Sequence, residues 1–323
     1  MVKRIWLMNY GPFKDANFAL GPLTVIVGPN ASGKSIAMEA LHRLSEGGHE
    51  SVRALSSMKR RGADSEVEVG FQGDPGGASW RLGLDDVGLD GLALESGEMA
   101  GVAPETILIR LRPEELRKAS YIPSDKPLMN EDGSGLASAL AYMKLGNNEG
   151  FAAIEEWTRA IVPSFEGLRF KRAKVDNEGS QAVYGDELIL DMKGAPDLHP
   201  AAVSEGTLFA LGLLTMVVQH SRREGDLLFL VDELERGLHP RALAELVGHL
   251  RRLAEELNVQ ILATSHSPYL VDALKPEEVR LTGLLADGTA TICNLTDHPD
   301  FERWKEEMSP GEFWSTVGED WIE

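Results

Sequence analysis

Apolar residues follow two rhythms along this chain. Short unbroken runs, Leu23-Thr24-Val25-Ile26-Val27, Leu227-Leu228-Phe229-Leu230-Val231 and Gln260-Ile261-Leu262-Ala263-Thr264, read as strands buried on both faces. Longer stretches carry helical spacing. One runs from Lys34 to about Leu44, with Ile36, Met38, Ala40 and Leu41 available for packing, and another from Pro240 to about Leu257. Strand 227–231, helix 240–257 and strand 260–264 therefore make a βαβ unit, which predicts a parallel core. Further strands are expected at 3–9, 278–283 and 289–294. Further helices are expected at 134–146, 149–161 and from Ser204 to about Gln219. The pieces at 167–174 and 181–191 are strand-like and are expected to return the chain to the sheet. Residues 62–101 are rich in Gly and Asp, with pieces such as Val67-Glu68-Val69 and Trp80-Arg81-Leu82, and predict a meander of short antiparallel strands. There is no internal repeat and no sustained heptad pattern.

Composition narrows the class. The chain has 323 residues, 43% hydrophobic and 26% charged, the profile of a globular protein with a substantial core. A single cysteine, Cys293, excludes an internal disulfide and fits a reducing cytoplasm. Met1-Val2-Lys3-Arg4-Ile5-Trp6 runs directly into a strand pattern, without a signal-peptide core. The longest apolar stretch, Thr207 to Val218, is too short to span a bilayer. The expectation is a soluble, cytoplasmic protein with no membrane partner. Lys and Arg number 32 against 51 Asp and Glu, a net charge of −19, which repels nucleic acid overall. Two local basic clusters remain, Arg169/Lys171/Arg172/Lys174 and Lys59/Arg60/Arg61, each either a solvated surface or a DNA contact. The stretch from Pro299 to Glu323 is acidic and carries Phe301, Trp304, Phe313, Trp314 and Trp321. It is either a cap packed on the body or a docking segment.

The chemistry starts at Gly28-Pro29-Asn30-Ala31-Ser32-Gly33-Lys34-Ser35, a complete G-x-x-x-x-G-K-[ST] string between a buried strand and an amphipathic helix. Its glycines allow a tight turn that points successive N–H groups at phosphate oxygens, and the helix adds its positive N-terminal end. Lys34 is suited to the β- and γ-phosphates and the Ser35 hydroxyl to Mg²⁺. The strand ending in Asp232-Glu233 delivers a second Mg²⁺ contact, Asp232, and a general base for the attacking water, Glu233. His266, after the next strand, is a candidate for a γ-phosphate contact. Ser204 suits the N-cap of the helix that follows it. With the Gly206 amide and the helix dipole, it is a candidate for a γ-phosphate held by a second subunit.

This ordered set resembles the ABC-type ATPases, and within them the SMC, RecF and RecN branch. It is most similar to the overcoming-lysogeny-defect (OLD) ATPases and their relatives. Asn9-Tyr10-Gly11-Pro12-Phe13-Lys14-Asp15, Leu23–Ser35, Ser204-Glu205-Gly206-Thr207 and Glu233-Leu234-Glu235-Arg236-Gly237-Leu238-His239-Pro240 carry the likeness. It implies an α/β P-loop NTPase head with a mixed sheet core, an antiparallel β-subdomain and a helical lobe. One domain over 1–323 is expected, with 1–124 and 167–296 as the nucleotide-binding core, 125–166 as the lobe and 297–323 as a tail. It also implies ATP and Mg²⁺ as ligands. Gly28, Pro29, Asn30, Ala31, Ser32, Gly33, Lys34, Ser35 and Ile36 are then the phosphate-binding stretch and Asp232/Glu233 the acid pair. Ser204, Glu205, Gly206 and Thr207 are the signature, 235–239 the loop after the acid pair, and His266 the switch. A homodimer closing over two ATP molecules follows from the likeness.

Several positions depart from the family pattern. Glu205 and Thr207 replace the usual Gly and Gln, and Ile36 replaces a hydroxyl residue. Gln72 is the candidate Q-loop glutamine, with Tyr121-Ile122-Pro123-Ser124 as the alternative region. No heptads suggest coiled-coil arms, and with 57 residues after His266 no nuclease domain is expected within them. The expectation is an ATP-hydrolysing switch acting on a separately encoded effector such as a nuclease, in phage defence or DNA maintenance. A RecF-like DNA clamp is the alternative, and a transporter ATPase subunit a weaker one.

Overall fold

The unbroken apolar runs become the middle of a mixed sheet. The structure is a computed structural model that describes residues 1–46, 54, 57–58, 67–73, 79–84, 104–146, 148–178, 181–221, 226–318 and 321–322. Among these, the strands are β1 (Arg4–Tyr10), β2 (Phe13–Ala19), β3 (Leu23–Val27), β4 (Val67–Gln72), β5 (Ser79–Leu84), β6 (Glu105–Ile109), β7 (Phe165–Glu178), β8 (Gln181–Met192), β9 (Ala195–Leu198), β10 (Leu227–Val231), β11 (Gln260–Ser265), β12 (Val279–Leu284) and β13 (Ala290–Asn294). The longer helices are α1 (Lys34–Glu46), α2 (Leu136–Gly146), α3 (Asn148–Ile161), α4 (Glu205–His220), α5 (Pro240–Glu256) and α6 (Pro310–Val317). Compact packing divides the chain into two units, one of residues 1–108, 224–234 and 250–323, the other of 109–223 and 235–249.

The first unit is organised on the large sheet, whose strand order is β5-β4-β1-β2-β13-β12-β3-β11-β10-β6. β12, β3, β11 and β10 run parallel to one another. β3, β10 and β11 are buried at every position, which is why their sequences do not alternate. At the other side β1, β2, β4 and β5 pair antiparallel, β4 and β5 as the meander expected over 62–101. Most of the predicted 62–101 meander lies outside the described residues. β2 and β6 were not anticipated. β2 is hidden by Lys14 and Asp15 on its open face, and β6 follows directly on the Gly/Asp-rich stretch.

The second unit carries a sheet of its own. The pieces predicted at 167–174 and 181–191 do not rejoin the main sheet. They are β7 and β8, which pair with each other and with β9 in a separate antiparallel sheet. The reason is their period of two. Leu168 is buried while its neighbours Arg169 and Lys171 face water, the pattern of a sheet covered on one face only. α2 and α3 supply the cover. The Leu168 N–H donates to Glu155 Oε1 at 2.8 Å. Lys144 Nζ donates to the Leu168 carbonyl at 3.2 Å and lies 5.0 Å from the Phe151 ring centre. α4 is almost wholly buried.

Candidate functional site

Three adjacent parallel strands, β3, β11 and β10, end at one edge of the sheet. The turn after each supplies one wall of a pocket, as is general for sheets of this type. The turn after β3 is tight for a structural reason. A Cβ on Gly28 would lie 2.2 Å from the Thr282 carbonyl oxygen, so only glycine lets the loop pass β12. Gly33 has φ +91°, and a Cβ there would meet Pro12 and Phe13 at 2.7 and 2.8 Å. The motif Asn9–Asp15 thus forms the floor under the loop. Thr282 Oγ1 donates to the Ser32 carbonyl at 3.0 Å, and α1 begins with Ala37 N–H on the Gly33 carbonyl. The Ser32 hydroxyl is buried with no hydrogen-bond partner among the described residues. Lys34 Nζ donates to the Gly28 and Pro29 carbonyls at 2.8 and 2.7 Å.

Asp232 and Glu233 lie just past the end of β10. Ser35 Oγ donates to Asp232 Oδ1 at 3.1 Å, which joins the turn after β3 to the turn after β10. Thr264 Oγ1 donates to the same carboxylate oxygen at 2.6 Å and accepts the Glu233 N–H at 3.0 Å. The Thr264 carbonyl accepts the Leu234 N–H. Glu233 itself is in the left-handed region, φ 55°, a conformation that a non-glycine residue keeps only when its surroundings hold it. Thr264 is that hold, and no local pattern in the chain marks it. The pocket, of about 270 Å³, is lined by Asn30–Ala31, Gly33–Ile36, Asp232–Glu233 and Thr264–His266. Ile36 therefore lines it, where its side chain also packs over Gly11. Gly28, Pro29 and Ser32 shape the loop from behind.

The signature stretch belongs to the second unit. Ser204 caps α4, its Oγ accepting the Thr207 N–H at 3.3 Å and standing 2.7 Å from Thr207 Oγ1. Gly206 and Gly237 touch, since a Cβ on Gly206 would lie 2.1 Å from the Gly237 carbonyl. A cleft of about 460 Å³ opens beside them, with Ser204, Thr207, His239 and Arg241 in its wall. The Glu205 carboxylate has its own counter-charge, Arg117 Nη2 at 3.5 Å. Arg117 has no sequence signature, and it gives the acid that replaces the usual Gly at 205 a counter-charge within its own chain. Neither Gln72 nor 121–124 lines the pocket at the phosphate loop. Gln72 is on β4, five strands from β3 in the sheet order.

Residues 23–272 match the family described as "AAA domain, putative AbiEii toxin, Type IV TA system". The chain belongs to this AAA-domain family. No curated protein matches it by sequence. Among solved structures it is similar to an SMC head bound to the C-terminal winged-helix domain of ScpA, at 15% identity and TM-score 0.58, over 93% of this chain and 99% of that one. It is also similar to the SMC head of Thermotoga maritima, at 14% identity and TM-score 0.52, over 91% and 98%. A third likeness is to an SMC head with an extended coiled coil, bound to the C-terminal domain of ScpA from Pyrococcus furiosus, at 15% and 0.56, over 94% and 98%. At these identities the likeness is one of fold, that of the SMC/ABC-like P-loop ATPase head.

The remaining candidate regions of this AAA-domain chain are structural in what they touch. In the β7 cluster, Arg169 pairs with Asp191 and Asp197, Lys171 with Glu187 and Arg172 with Asp186. Hydrogen bonds from the Arg169 guanidinium hold the Asp191 carboxyl down at about 2. The Lys59–Arg61 cluster lies outside the described residues. Phe301, Phe313 and Trp314 are buried, with His298 edge-on to Phe313 and Trp321, so the aromatics of the tail pack against the body as a cap. Among the described residues no helix is long and apolar enough to cross a membrane.

Proposed function

We propose that this chain binds ATP with Mg²⁺ in the pocket at the ends of β3, β10 and β11 and hydrolyses it. The observation that carries the reading is the joining of Ser35, Asp232, Glu233 and His266 around one phosphate loop. The residues present fit a triphosphate. A buried Ser32 hydroxyl has no hydrogen-bond partner among the described residues, and the Lys34 ammonium rests on two loop carbonyls. Loop N–H groups from Asn30 to Ser35 and Lys34 Nζ take the phosphate oxygens. Ser35 Oγ and Asp232 would hold Mg²⁺, which neutralises charge on those oxygens when bound. Glu233 accepts the proton of the attacking water, its backbone fixed by Thr264. His266 donates a hydrogen bond to the γ-phosphate. Isothermal titration with a non-hydrolysed ATP analogue tests the binding half. Lys34→Ala abolishes the heat signal, and retention of wild-type affinity would rule the pocket out.

The signature supports a second half-site. Ser204 is exposed at the start of α4, so its hydroxyl and the dipole of α4 are available to a γ-phosphate held by a second copy. The proposed form is a homodimer closed over two ATP molecules in the cytoplasm, acting on a separately encoded effector such as a nuclease in the manner of the OLD-like group. The family's description speaks of a toxin in a type IV toxin–antitoxin system, a two-component setting in line with an effector. The ion pairs on β7 weigh against the RecF-like clamp, because the cluster's positive charge is matched by acids of the same sheet.

A further inference from the structure

The segment that follows His266 is gripped by the C-terminal cap. Ser267 donates its N–H to Ser265 Oγ at 3.0 Å and starts a short turn over Pro268–Val271. Within it Leu270 and Val271 donate to the Ser267 carbonyl, and Asp272 N–H donates to the Pro268 carbonyl at 3.0 Å. The first turn of α6 sits directly on this piece. Gly311 N–H donates to Asp272 Oδ1 at 2.7 Å. A Cβ on Gly311 would lie 2.2 Å from the Pro268 carbonyl oxygen and 2.6 Å from Asp272 Oδ1. Gly311 is needed there for close approach alone. α6 cannot slide away easily, because Phe313 and Trp314 are buried and Phe313 meets Phe301 and His298 edge-on. At its start a capping box ties Ser309 to Glu312.

We infer that α6 positions His266, with Asp272 and Gly311 as the positioning residues that fix the turn two residues beyond the imidazole. A catalytic contact is useful only within about 0.5 Å of its productive place, and a loop residue reaches that tolerance only when neighbours lock it. The sequence Ser309-Pro310-Gly311-Glu312 thereby acts on the nucleotide pocket from more than forty residues along the chain. This rests on the role given to His266 in the proposed function.

The experiment measures kcat, KM and analogue affinity for Asp272→Ala, Asp272→Asn, Gly311→Ala, His266→Ala and the double variant His266→Ala/Asp272→Ala, each as the full chain. Asp272→Ala and Gly311→Ala are expected to lower kcat about tenfold with analogue affinity unchanged. Asp272→Asn, whose amide oxygen still accepts the Gly311 N–H, restores the rate. In the His266→Ala background, Asp272→Ala has no further effect on kcat, a non-additivity that mere loosening of the fold does not produce. A wild-type kcat for Asp272→Ala beside a slow His266→Ala overturns the inference and leaves the proposed function standing. An additive loss in the double variant, or kcat and affinity falling together, overturns it too. A wild-type rate for His266→Ala instead removes the assigned role of His266 itself.

Discussion

Replacing Thr264 by Val asks how the acid pair is held. Thr264 is 1% exposed, and its single hydroxyl both donates to Asp232 Oδ1 and accepts from the Glu233 N–H. Val keeps the β-branched shape and strand preference while removing both bonds. A hydrogen bond to a charged acceptor contributes about 1.5–3 kcal/mol, and an unpaired amide costs about 1–3 kcal/mol. Asp232 is half-buried and Glu233 exposed, so the lower end of each range applies, giving about 2.5 kcal/mol in all. Unfolding entropy of about 2.1 cal/mol/K per residue converts this, for a chain of 323 residues, into a fall in melting midpoint of roughly 4 °C. Thr264→Ser retains the hydroxyl and loses one methyl, about 0.8 kcal/mol, or roughly 1 °C. Circular dichroism melts of both variants, with steady-state ATP turnover, make the comparison. Turnover falls in Thr264→Val because Glu233 relaxes from its left-handed conformation, and Thr264→Ser keeps it. A Val variant that melts with the wild type, or a Ser variant that falls as far as the Val one, would refute this role of Thr264.

Gly28→Ala places a methyl group 2.2 Å from the Thr282 carbonyl. Overpacking of that kind costs about 1–3 kcal/mol, so analogue affinity in a titration drops about tenfold or more, and an unchanged affinity would refute the close-approach argument. Asp191 titrates at about 2 because Arg169 donates to both of its oxygens. Since the folded value is depressed, its contribution to stability is present above the unfolded value of about 3.9 and is lost as pH falls towards about 2. NMR titration of the Asp191 carboxyl in Arg169→Ala should show the midpoint returning to the ordinary range. Lys171→Glu with Arg172→Glu sets new acids against Glu187 and Asp186. The β7–β8 sheet then loosens in amide exchange while low-salt DNA retention stays as it was; a large loss of DNA retention would revive the clamp.

The elements that the chain announced most clearly are those with a one-dimensional cause. β3, β10 and β11 are legible because strands buried on both faces must be unbroken apolar runs. The phosphate loop is legible because its glycines answer to backbone geometry and its Lys34-Ser35 to phosphate chemistry. Thr264 was not legible, since a hydroxyl inside a strand looks the same whether or not it bridges two acids. The Arg117–Glu205 pair joins residues far apart in sequence, and no local pattern marks it. β7 and β8 are legible as strands but not in their sheet partner, because alternation fixes which face is covered and not by what. α6 did carry a signal. Ser309-Pro310-Gly311-Glu312 is a capping box with Pro at the first helical position.

Glu233 is proposed to activate the water that attacks ATP bound at Gly28–Ser35. The most direct test is single-turnover hydrolysis by Glu233→Gln, which keeps the size and hydrogen-bonding reach of the side chain and removes its basicity. The expected result is ATP bound as tightly as by the wild type, hydrolysed at least a hundredfold more slowly, on the order of the loss of a general base, and accumulating in a closed dimer. Hydrolysis at the wild-type rate would contradict it.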